Sequence, residues 1–439
     1  MIAQAEKFGP DFNTFISFEA DIVRIQAEAL ESKRERGEDL GPLFGVPIAL
    51  KDLIATRDYP TTFGTTVLGE YTPDRNAVVV DQLLAADAIV FGKANAQELA
   101  FGSNGYNSHY GQQLNPYDPD RIAGGSSGGS AIAVSARMTP LSLGGDTAAS
   151  IRVPAAFTGI YGHRPTTGRY DTTGIWPIAG TLDTVGPFAR SVEDLALVDS
   201  VFTGDFTDLA TVDPSEIRLG VPAGFFYKFA SDEVKTAFAA YLKDLEAAGV
   251  TLVHVEMSGA EDLKNAGLYP ILFYELIPAV TLYLETWGNG TTFDELYAGL
   301  GPDVKGAWDF LIMDGAPQQV PVEVYGAAIS DARPRMRALY ADYFSDNDLD
   351  AMIFPTAADD PPISGEGNPM EQVIDGETVS TFVNDETSYP GALAGVPGVS
   401  YPMAMSAGGF PIGVSLDGPV GRDRALLAIA ATGIAKLIF

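Results

Sequence analysis

Short apolar stretches alternate with helical stretches along the chain, and this alternation constrains the fold more than any other feature. Residues 43–52, LFGVPIALKD, have the short apolar pattern of a buried strand, which is expected to end at Lys51. Residues 77–88, AVVVDQLLAADA, predict a helix, and residues 88–95, AIVFGKAN, predict a second strand that Gly92 ends. A strand, a helix and a strand in this order predict an α/β sheet with helices on its faces.

The same alternation returns further along the chain. IRLGVP and VTLVHVE are predicted strands, and the sequence between them has the pattern of an amphipathic helix. Ser231 is placed to cap the N-terminus of that helix, and Gly249 is placed to cap its C-terminus. Three more strands are expected before a last helix: AMIFPT, GVSYPMA and FPIGVSLDG.

Two other stretches are predicted to be helical. Residues 16–35 place Ile22 and Ile25 on the apolar face of a helix. Residues 260–345 are rich in Tyr, Leu, Phe and Trp, and they predict a helical insert over one end of the sheet. No internal repeat and no linker is visible in the sequence, so residues 1–439 are expected to form a single domain.

Composition excludes several kinds of function. The chain has 58 acidic and 27 basic residues and a net charge of -31. Nucleic acids and anionic membranes are both bound through Lys and Arg, so neither is an expected partner. The absence of cysteine excludes disulfides, thiolate nucleophiles and zinc–thiolate sites. The N-terminus lacks the pattern of a signal peptide and no stretch reaches the length of a membrane span, so the cytoplasm is the expected compartment.

Histidine is scarce, because the chain has only His109, His163 and His254. A site with several histidine ligands, or a triad with a histidine base, would have to draw on these three. We expect His109 and His163 to be packed or surface residues, and we expect hydrolytic chemistry to use another base. No metal and no cofactor is expected.

A glycine- and serine-rich stretch, RIAGGSSGGSAIAV, occupies residues 121–134. A flexible linker would have polar flanks, but apolar helix-like sequence begins at Ala131. A phosphate-binding loop would end its glycine run with Lys and Ser or Thr, and a dinucleotide-binding loop would have the G-x-G-x-x-G spacing. The stretch matches neither pattern, which leaves glycines that serve only close packing, or part of a catalytic site.

Other stretches decide between these two interpretations: FGVPIALKD, KANAQELAFG, LSLGGDTAASIRVPAAFTGIYGHRPTTGRY, LDTVGPFARSVEDLALVD and PGALAGVPGVSYPMA. Together with the Gly/Ser stretch they make the chain resemble the amidase signature family of serine hydrolases. The similarity covers most of the chain and is weakest in residues 260–345. The resemblance implies one amidase domain over residues 1–439. Its fold would be α/β, with a large mixed twisted sheet, helices on both faces and the helical insert near the substrate pocket.

The family uses a Ser–cis-Ser–Lys triad, and the resemblance places it on Ser150, Ser126 and Lys51. In the implied mechanism Lys51 takes a proton from Ser126, which takes one from Ser150. Ser150 then attacks an amide carbonyl and forms an acyl-enzyme that water hydrolyses. The resemblance also implies a cis peptide bond between Gly125 and Ser126.

A lysine can act as a base at neutral pH only when its pKa, normally about 10.4, is lowered by burial. The apolar stretch VPIAL directly before Lys51 would supply such burial. A single lysine at a strand end is more often a solvated surface residue, and the surrounding motif is what favours a buried base here.

The resemblance implies an oxyanion hole formed by the backbone N–H groups of Thr147, Ala148, Ala149 and Ser150. The family usually has two glycines before the nucleophile, where this chain has Ala148 and Ala149. Alanine keeps its N–H group, but the added methyl groups narrow the space near the carbonyl. Asp146 and Arg152 are expected to form an ion pair that braces the loop around Ser150. Ser127 and Ser130 are expected to hydrogen-bond into the same network.

The substrate is predicted to be a small amide with an aryl group. The stretch HRPTTGRYDTTGIWPIAGTLDTVGP resembles the branch of the family that contains mandelamide and indoleacetamide hydrolases. Residues 268–287 carry aromatic side chains that could line an apolar pocket or could form helix core. Anilides and carbamates are alternative substrates.

Two other functions stay open, namely the amidase subunit of a tRNA-dependent amidotransferase and an inactive scaffold. The protein is expected to be a monomer or a homodimer.

Overall fold

The computed structural model describes residues 1–365 and 370–432. The strands are β1 (Phe15–Ser17), β2 (Pro47–Lys51), β3 (Ile89–Ala94), β4 (Leu114–Asn115), β5 (Asp118–Ile122), β6 (Leu141–Asp146), β7 (Tyr161–Arg164), β8 (Thr184–Ala189), β9 (Arg218–Val221), β10 (Thr251–His254), β11 (Ala351–Pro355), β12 (Glu371–Ile374), β13 (Glu377–Ser380), β14 (Gly398–Met405) and β15 (Pro411–Asp417). The α-helices are α1 (Ile2–Phe12), α2 (Ala20–Glu35), α3 (Val78–Ala85), α4 (Gly128–Ser135), α5 (Arg152–Thr158), α6 (Val192–Thr203), α7 (Asp232–Ala247), α8 (Ala260–Trp287), α9 (Phe293–Ala298), α10 (Pro302–Leu311), α11 (Val322–Ala327), α12 (Arg333–Asp346), α13 (Tyr389–Ala394) and α14 (Asp423–Ala431).

Eleven strands form one mixed sheet, in the order β1-β3-β2-β6-β8-β7-β14-β15-β11-β9-β10. Strands β3, β2 and β6 are parallel near one end of the sheet, and β11, β9 and β10 are parallel at the other. The strands between these two groups pair antiparallel. The α/β prediction is confirmed, because β2–α3–β3 and β9–α7–β10 are the predicted parallel units with a helical crossover.

Helices cover both faces of the sheet, as the alternation of side chains along β11 shows. Ile353 packs in one apolar cluster with Val234 of α7 and with side chains of α14. The next residue, Phe354, packs in a second cluster with Leu268 of α8 and with side chains of α12. Successive side chains of a strand point to opposite faces, so α7 and α14 lie on one face, and α8 and α12 lie on the other.

Helix α7 begins where the sequence predicts. The Ser231 side chain accepts a hydrogen bond from the Val234 N–H at 3.2 Å, which caps the N-terminus. The α7 helix ends at Ala247, and Gly249 follows with a φ of +105°, a conformation that favours glycine.

Two details near the N-terminus differ from prediction. The helix predicted over residues 16–35 begins only at Ala20, because the residues before it form β1, and Ile25 is 64% exposed instead of facing the core. Strand β3 does not end at Gly92 but continues to Ala94. Strand β1 passes so close that a Cβ on Gly92 would lie 2.8 Å from a β1 carbonyl oxygen, so this glycine allows strand packing instead of ending the strand.

The stretch predicted as a helical insert, residues 260–345, contains α8 to α12. The expectation that no stretch reaches the length of a membrane span is wrong for α8. Among the described residues, α8 is the one helix long and apolar enough to cross a membrane by length and composition alone. Charged residues such as Glu275, together with Pro270 and Pro278, interrupt its apolar sequence, which is why no continuous run is visible. Its buried side chains pack with α12 and α13 near its start and with α9 and α10 near its end.

Candidate active site

The site lies at one edge of the sheet, where several strands end or begin. Strands β2 and β6 are parallel neighbours, so their carboxyl ends at Lys51 and Asp146 meet at the same edge. Strand β8 pairs antiparallel with β6 and places Thr184 opposite Asp146. The residues just before β8 therefore reach this edge as well.

Lys51 and Ser126 form the central contact of the site. Both side chains are buried, and Nζ of Lys51 lies 2.7 Å from Oγ of Ser126. Burial lowers the pKa of Lys51 to about 7, although the nearby carboxylates of Asp146 and Asp183 favour its charged form. The amine therefore exchanges its proton near neutral pH, which a general base must do.

The Gly/Ser stretch holds Ser126 against the sheet edge. The peptide bond between Gly125 and Ser126 is cis. A Cβ on Gly125 would lie 2.6 Å from the Gly105 nitrogen, so a glycine is needed there. Two further serines hydrogen-bond to β6, because Ser127 Oγ donates to the Gly145 carbonyl at 3.0 Å and Ser130 Oγ donates to the Leu143 carbonyl at 2.9 Å. These two bonds match the hydrogen bonds expected from Ser127 and Ser130.

The loop over residues 147–150, which holds the proposed nucleophile Ser150 and which we call the nucleophile loop, follows β6 directly and is braced by Asp146. The Asp146 carboxylate accepts hydrogen bonds from the Ile151 N–H at 3.1 Å and from Arg152 Nε at 3.3 Å, so the expected ion pair is present. Arg164, which the sequence analysis missed, donates to the same carboxylate at 2.8 Å. Burial alone would raise the pKa of Asp146, but the two arginines outweigh burial and lower it to about 2.

Asp183 is a second carboxylate of the site that the sequence analysis did not identify. The Thr147 hydroxyl donates to Asp183 Oδ1 at 2.7 Å, and the N–H groups of Ile178 and Ala179 donate to Oδ2 at 2.8 and 3.0 Å. Asp183 thus ties the nucleophile loop to the loop before β8. Burial raises its pKa to about 6. Its motif LDTVGP was visible in the sequence, but only the pairing of β8 with β6 shows that it lies beside Thr147.

Ser150 faces a cavity of about 270 Å³, which we call the large cavity. Ala148 and Ala149, where the family usually has glycines, also line it. Its aromatic lining consists of Phe101, Tyr106, Tyr269, Phe273, Phe382 and Tyr389. Two of these aromatic residues come from α8, which places part of the predicted helical insert at the cavity.

A smaller cavity of about 120 Å³, which we call the small cavity, lies on the other side of the nucleophile loop. Lys51, Ser126 and Asp183 line it. The two cavities share Thr147 as a lining residue, together with Ala100 and Ile178. The proposed nucleophile therefore faces one cavity, and the proposed relay and base face the other.

None of the three histidines lines either cavity, although His109 contacts Glu98 of the large cavity. His163 is buried with Nδ1 3.2 Å from the Gly398 carbonyl oxygen, and His109 Nε2 lies 3.1 Å from Oε1 of Glu98. His254 is exposed on β10. Residues 1–365 and 370–432 contain no cluster of three or more His, Cys, Asp or Glu side chains that could hold a metal ion.

Comparisons with known proteins identify the family of the chain. The family model described as Amidase matches residues 1–427. The chain is 40% identical to mandelamide hydrolase from Pseudomonas putida over 434 residues, which cover 96% of this chain and 84% of the relative. It is 35% identical to indoleacetamide hydrolase from Agrobacterium vitis, over 89% of this chain and 83% of the relative. A crystal structure of an amidase superposes with a TM-score of 0.87 at 29% identity, over 99% of this chain and 94% of the other.

Proposed function

The chain belongs to the amidase family and is an amide hydrolase, and we propose that it cleaves small aryl-containing amides through Ser150, Ser126 and Lys51. The observation that carries the triad is the buried contact between Lys51 and Ser126 at 2.7 Å, beside the loop that presents Ser150. Because the amine has a pKa near 7, a large fraction of Lys51 is neutral at neutral pH and can accept a proton.

In the proposed reaction, Lys51 takes the Ser126 hydroxyl proton while Ser126 takes the proton of Ser150. Ser150 Oγ bonds to the amide carbonyl carbon, and the negative charge moves to the carbonyl oxygen. When the C–N bond breaks, Ser126 returns a proton to the leaving nitrogen and regains one from Lys51. Water then attacks the ester by the same proton path, which releases the acid and restores Ser150.

The backbone N–H groups of residues 147–150 are the proposed donors to the carbonyl oxygen. Replacement of glycine by alanine at positions 148 and 149 removes no N–H group. Asp146 and Asp183 hold the two ends of this loop through Ile151 and Thr147, which keeps the donors in place before substrate binds.

The lining of the large cavity supports a neutral, aromatic acyl group. Six aromatic side chains line it, and apolar lining favours an aryl group. Its ionisable lining residues in the described part of the chain are the acids Glu98, Asp303 and Asp385, with neither Lys nor Arg, and burial raises the pKa of Asp385 to about 8. A free carboxylate, such as that of glutamine, would lack a cationic partner there, which disfavours the amidotransferase alternative.

The test is a substrate panel with Ser150→Ala as the inactive variant. The panel contains a primary arylacetamide, an anilide, an aryl carbamate, an aryl ester and glutamine. We expect turnover of the arylacetamide, loss of that turnover in Ser150→Ala, and labelling of the wild-type protein by a fluorophosphonate. Ser135→Ala is the matched control, since Ser135 hydrogen-bonds to the Thr158 carbonyl at 2.7 Å away from both cavities.

The other outcomes separate the alternatives. Turnover of the anilide or carbamate in preference to the amide would reassign the substrate while retaining the triad. Turnover of glutamine that depends on added partner subunits would indicate an amidotransferase subunit. A folded protein that turns over no compound and is not labelled at Ser150 would be a scaffold.

A further inference from the structure

One acid of the large cavity has no role in the proposed reaction and is incompletely hydrogen-bonded. The Glu98 carboxylate accepts a hydrogen bond from the Gly301 N–H at 3.1 Å, and its Oε1 lies 3.1 Å from Nε2 of His109. Asp303, near the start of α10, is half-buried and can be hydrated. Asp385 differs from both, because it is 1% exposed and its Oδ1 has no hydrogen-bond partner among the described residues.

The carboxyl group of Asp385 belongs to the wall of the large cavity. Its Oδ2 accepts a hydrogen bond from the Tyr389 hydroxyl at 3.4 Å. The Ser103 hydroxyl lies near the carboxyl group and favours its charged form, without completing a hydrogen bond to Oδ1. Asp385, Tyr389 and Ser103 all line the large cavity. A buried polar atom without a partner is unfavourable and rare, so at the wall of a substrate cavity it indicates a partner on the ligand.

The chain around Asp385 is fixed from two directions. Arg152, which forms the ion pair at the nucleophile loop, donates to the Ser388 carbonyl at 3.0 Å. Glu386 forms an ion pair with Lys264 of α8, with 2.6 Å between Oε2 and Nζ. The carboxyl group of Asp385 is therefore held in place relative to both the nucleophile loop and α8 before substrate binds, as selective hydrogen bonding requires.

The charge state of Asp385 indicates the kind of ligand group that suits it. Burial raises the pKa of Asp385 to about 8, so the carboxyl group is mostly uncharged at neutral pH. An uncharged carboxyl group does not require a cation beside it, and it accepts hydrogen bonds in both of its protonation states. A neutral donor, such as a hydroxyl or an N–H group, is the matching partner.

We propose that Asp385 is a substrate-binding residue that accepts a hydrogen bond from a hydroxyl or N–H group of the substrate other than the amide that is cleaved. This proposal rests on the proposed function, since it takes the large cavity as the place of the aryl group. It narrows the substrate class to aryl amides that carry such a donor. An amide without the donor would leave the buried carboxyl oxygen unpaired in the complex, which is how a polar site rejects an apolar analogue.

The test compares substrates in pairs that differ only in the donor. One pair is an arylacetamide with an α-hydroxyl group and its analogue with a methyl group in that place. The other pair is an arylacetamide whose bicyclic ring contains an N–H group and its analogue with sulfur in that place. We expect the wild-type protein to favour the donor in at least one pair by roughly tenfold or more in kcat/KM. The pair that shows the preference identifies the donor as hydroxyl or N–H.

Variants of Asp385 show whether this residue causes the preference. Asp385→Leu removes the acceptor and should abolish the preference while activity on the donor-free substrates is retained. Asp385→Asn keeps an acceptor oxygen and should retain part of the preference, and it does not depend on Asp385→Leu being folded. Asp303→Asn is the matched control, since it removes another acid from the same cavity and should leave the preference unchanged. Circular dichroism and fluorophosphonate labelling of Ser150 show that each variant is folded and has a reactive nucleophile.

The proposal is overturned if the wild-type protein hydrolyses both members of each pair with equal kcat/KM. It is also overturned if Asp385→Leu lowers the activity on all substrates equally, because that result indicates a purely structural role, or if Asp303→Asn removes the preference as fully as Asp385→Leu does. Failure of the proposed function gives a different result, in which the wild-type protein hydrolyses no amide and Ser150 is not labelled.

Discussion

Two buried lysines stand on neighbouring parallel strands, and their surroundings differ. Lys51 ends β2, and Lys93 lies on β3, next to it in the sheet. Lys93 donates to the Ile54 carbonyl at 2.7 Å and to Thr61 Oγ1 at 2.6 Å, and its Nζ lies 3.3 Å from Oδ1 of Asp52. Among the described residues, the side-chain amine of Lys51 has a single hydrogen-bond partner, Ser126.

The difference in partners explains a difference in chemistry. Burial lowers the pKa of both amines, to about 7 for Lys51 and to about 8 for Lys93, although Asp52 favours the charged form of Lys93. Two oxygens accept hydrogen bonds from the Lys93 ammonium and the Asp52 carboxylate forms an ion pair with it, so Lys93 is held as a structural cation. One hydroxyl leaves Lys51 free to exchange its proton with Ser126. Burial alone therefore does not make a base, and the partners decide the role.

The largest expected effect is on the activity of Lys51→Met. Methionine keeps much of the side-chain volume but cannot accept a proton, so kcat/KM should fall by roughly 10²- to 10⁴-fold. Thermal unfolding should occur at the same temperature or higher, because a buried amine with one partner is replaced by an apolar group. Steady-state kinetics and a melting curve on the same sample test both statements. Near-wild-type turnover would remove Lys51 from the mechanism.

Lys93→Met should have the opposite result, with a larger loss of stability than of catalytic activity. It leaves the Asp52 carboxylate buried without its cation, and breaking a buried ion pair in this way costs about 3–5 kcal/mol. The free energy of unfolding from urea titration measures the loss. The double variant Lys93→Met with Asp52→Asn should recover part of it. If the single variant is as stable as the wild type, the ion pair is not structural.

The pH dependence of the wild-type enzyme follows from the same comparison. Lys51 is charged below its pKa of about 7 and neutral above it, and the neutral form is the proposed base. The value of kcat/KM should therefore rise as the pH increases through 7 and level off above 8. A profile measured from pH 5.5 to 9 with a primary arylacetamide tests this. A rate that is constant between pH 6 and 8 would contradict the proposed role of Lys51.

The sequence predicted the parts of this site that lie close together along the chain. The apolar pattern before Lys51 predicted the end of β2, and the family resemblance supplied Ser126 and Ser150. The sequence did not predict the side chains that antiparallel strand pairing brings to the site, because the periodicity of a strand does not show which strands are its neighbours. Arg164 and Asp183 belong to this second group.

In the fold as well, features formed by consecutive residues could be predicted, whereas features that depend on packing between distant residues could not. The β–α–β units were predictable, because each consists of a strand, a helix and a strand that follow one another along the chain. Strand β1 and the continuation of β3 through Gly92 were not, since both depend on the packing of one strand against another. The exposed position of Ile25 has the same origin, because periodicity gives a helix an apolar face but does not say which face contacts the protein.

The smallest expected effect is a shift in the pH profile of kcat/KM in Asp183→Asn, and it is the sharpest test of the comparison between the two lysines. The Asp183 carboxylate favours the charged form of Lys51. Asparagine removes that negative charge but can still accept the hydrogen bond of the Thr147 hydroxyl. The pKa of Lys51 should therefore fall, and the rising limb of kcat/KM should move to lower pH. Asp52→Asn, beside Lys93, is the matched control, and its limb should stay in place because Asp52 does not act on Lys51. A shift to higher pH in Asp183→Asn, or equal shifts in both variants, would mean that the limb does not report Lys51.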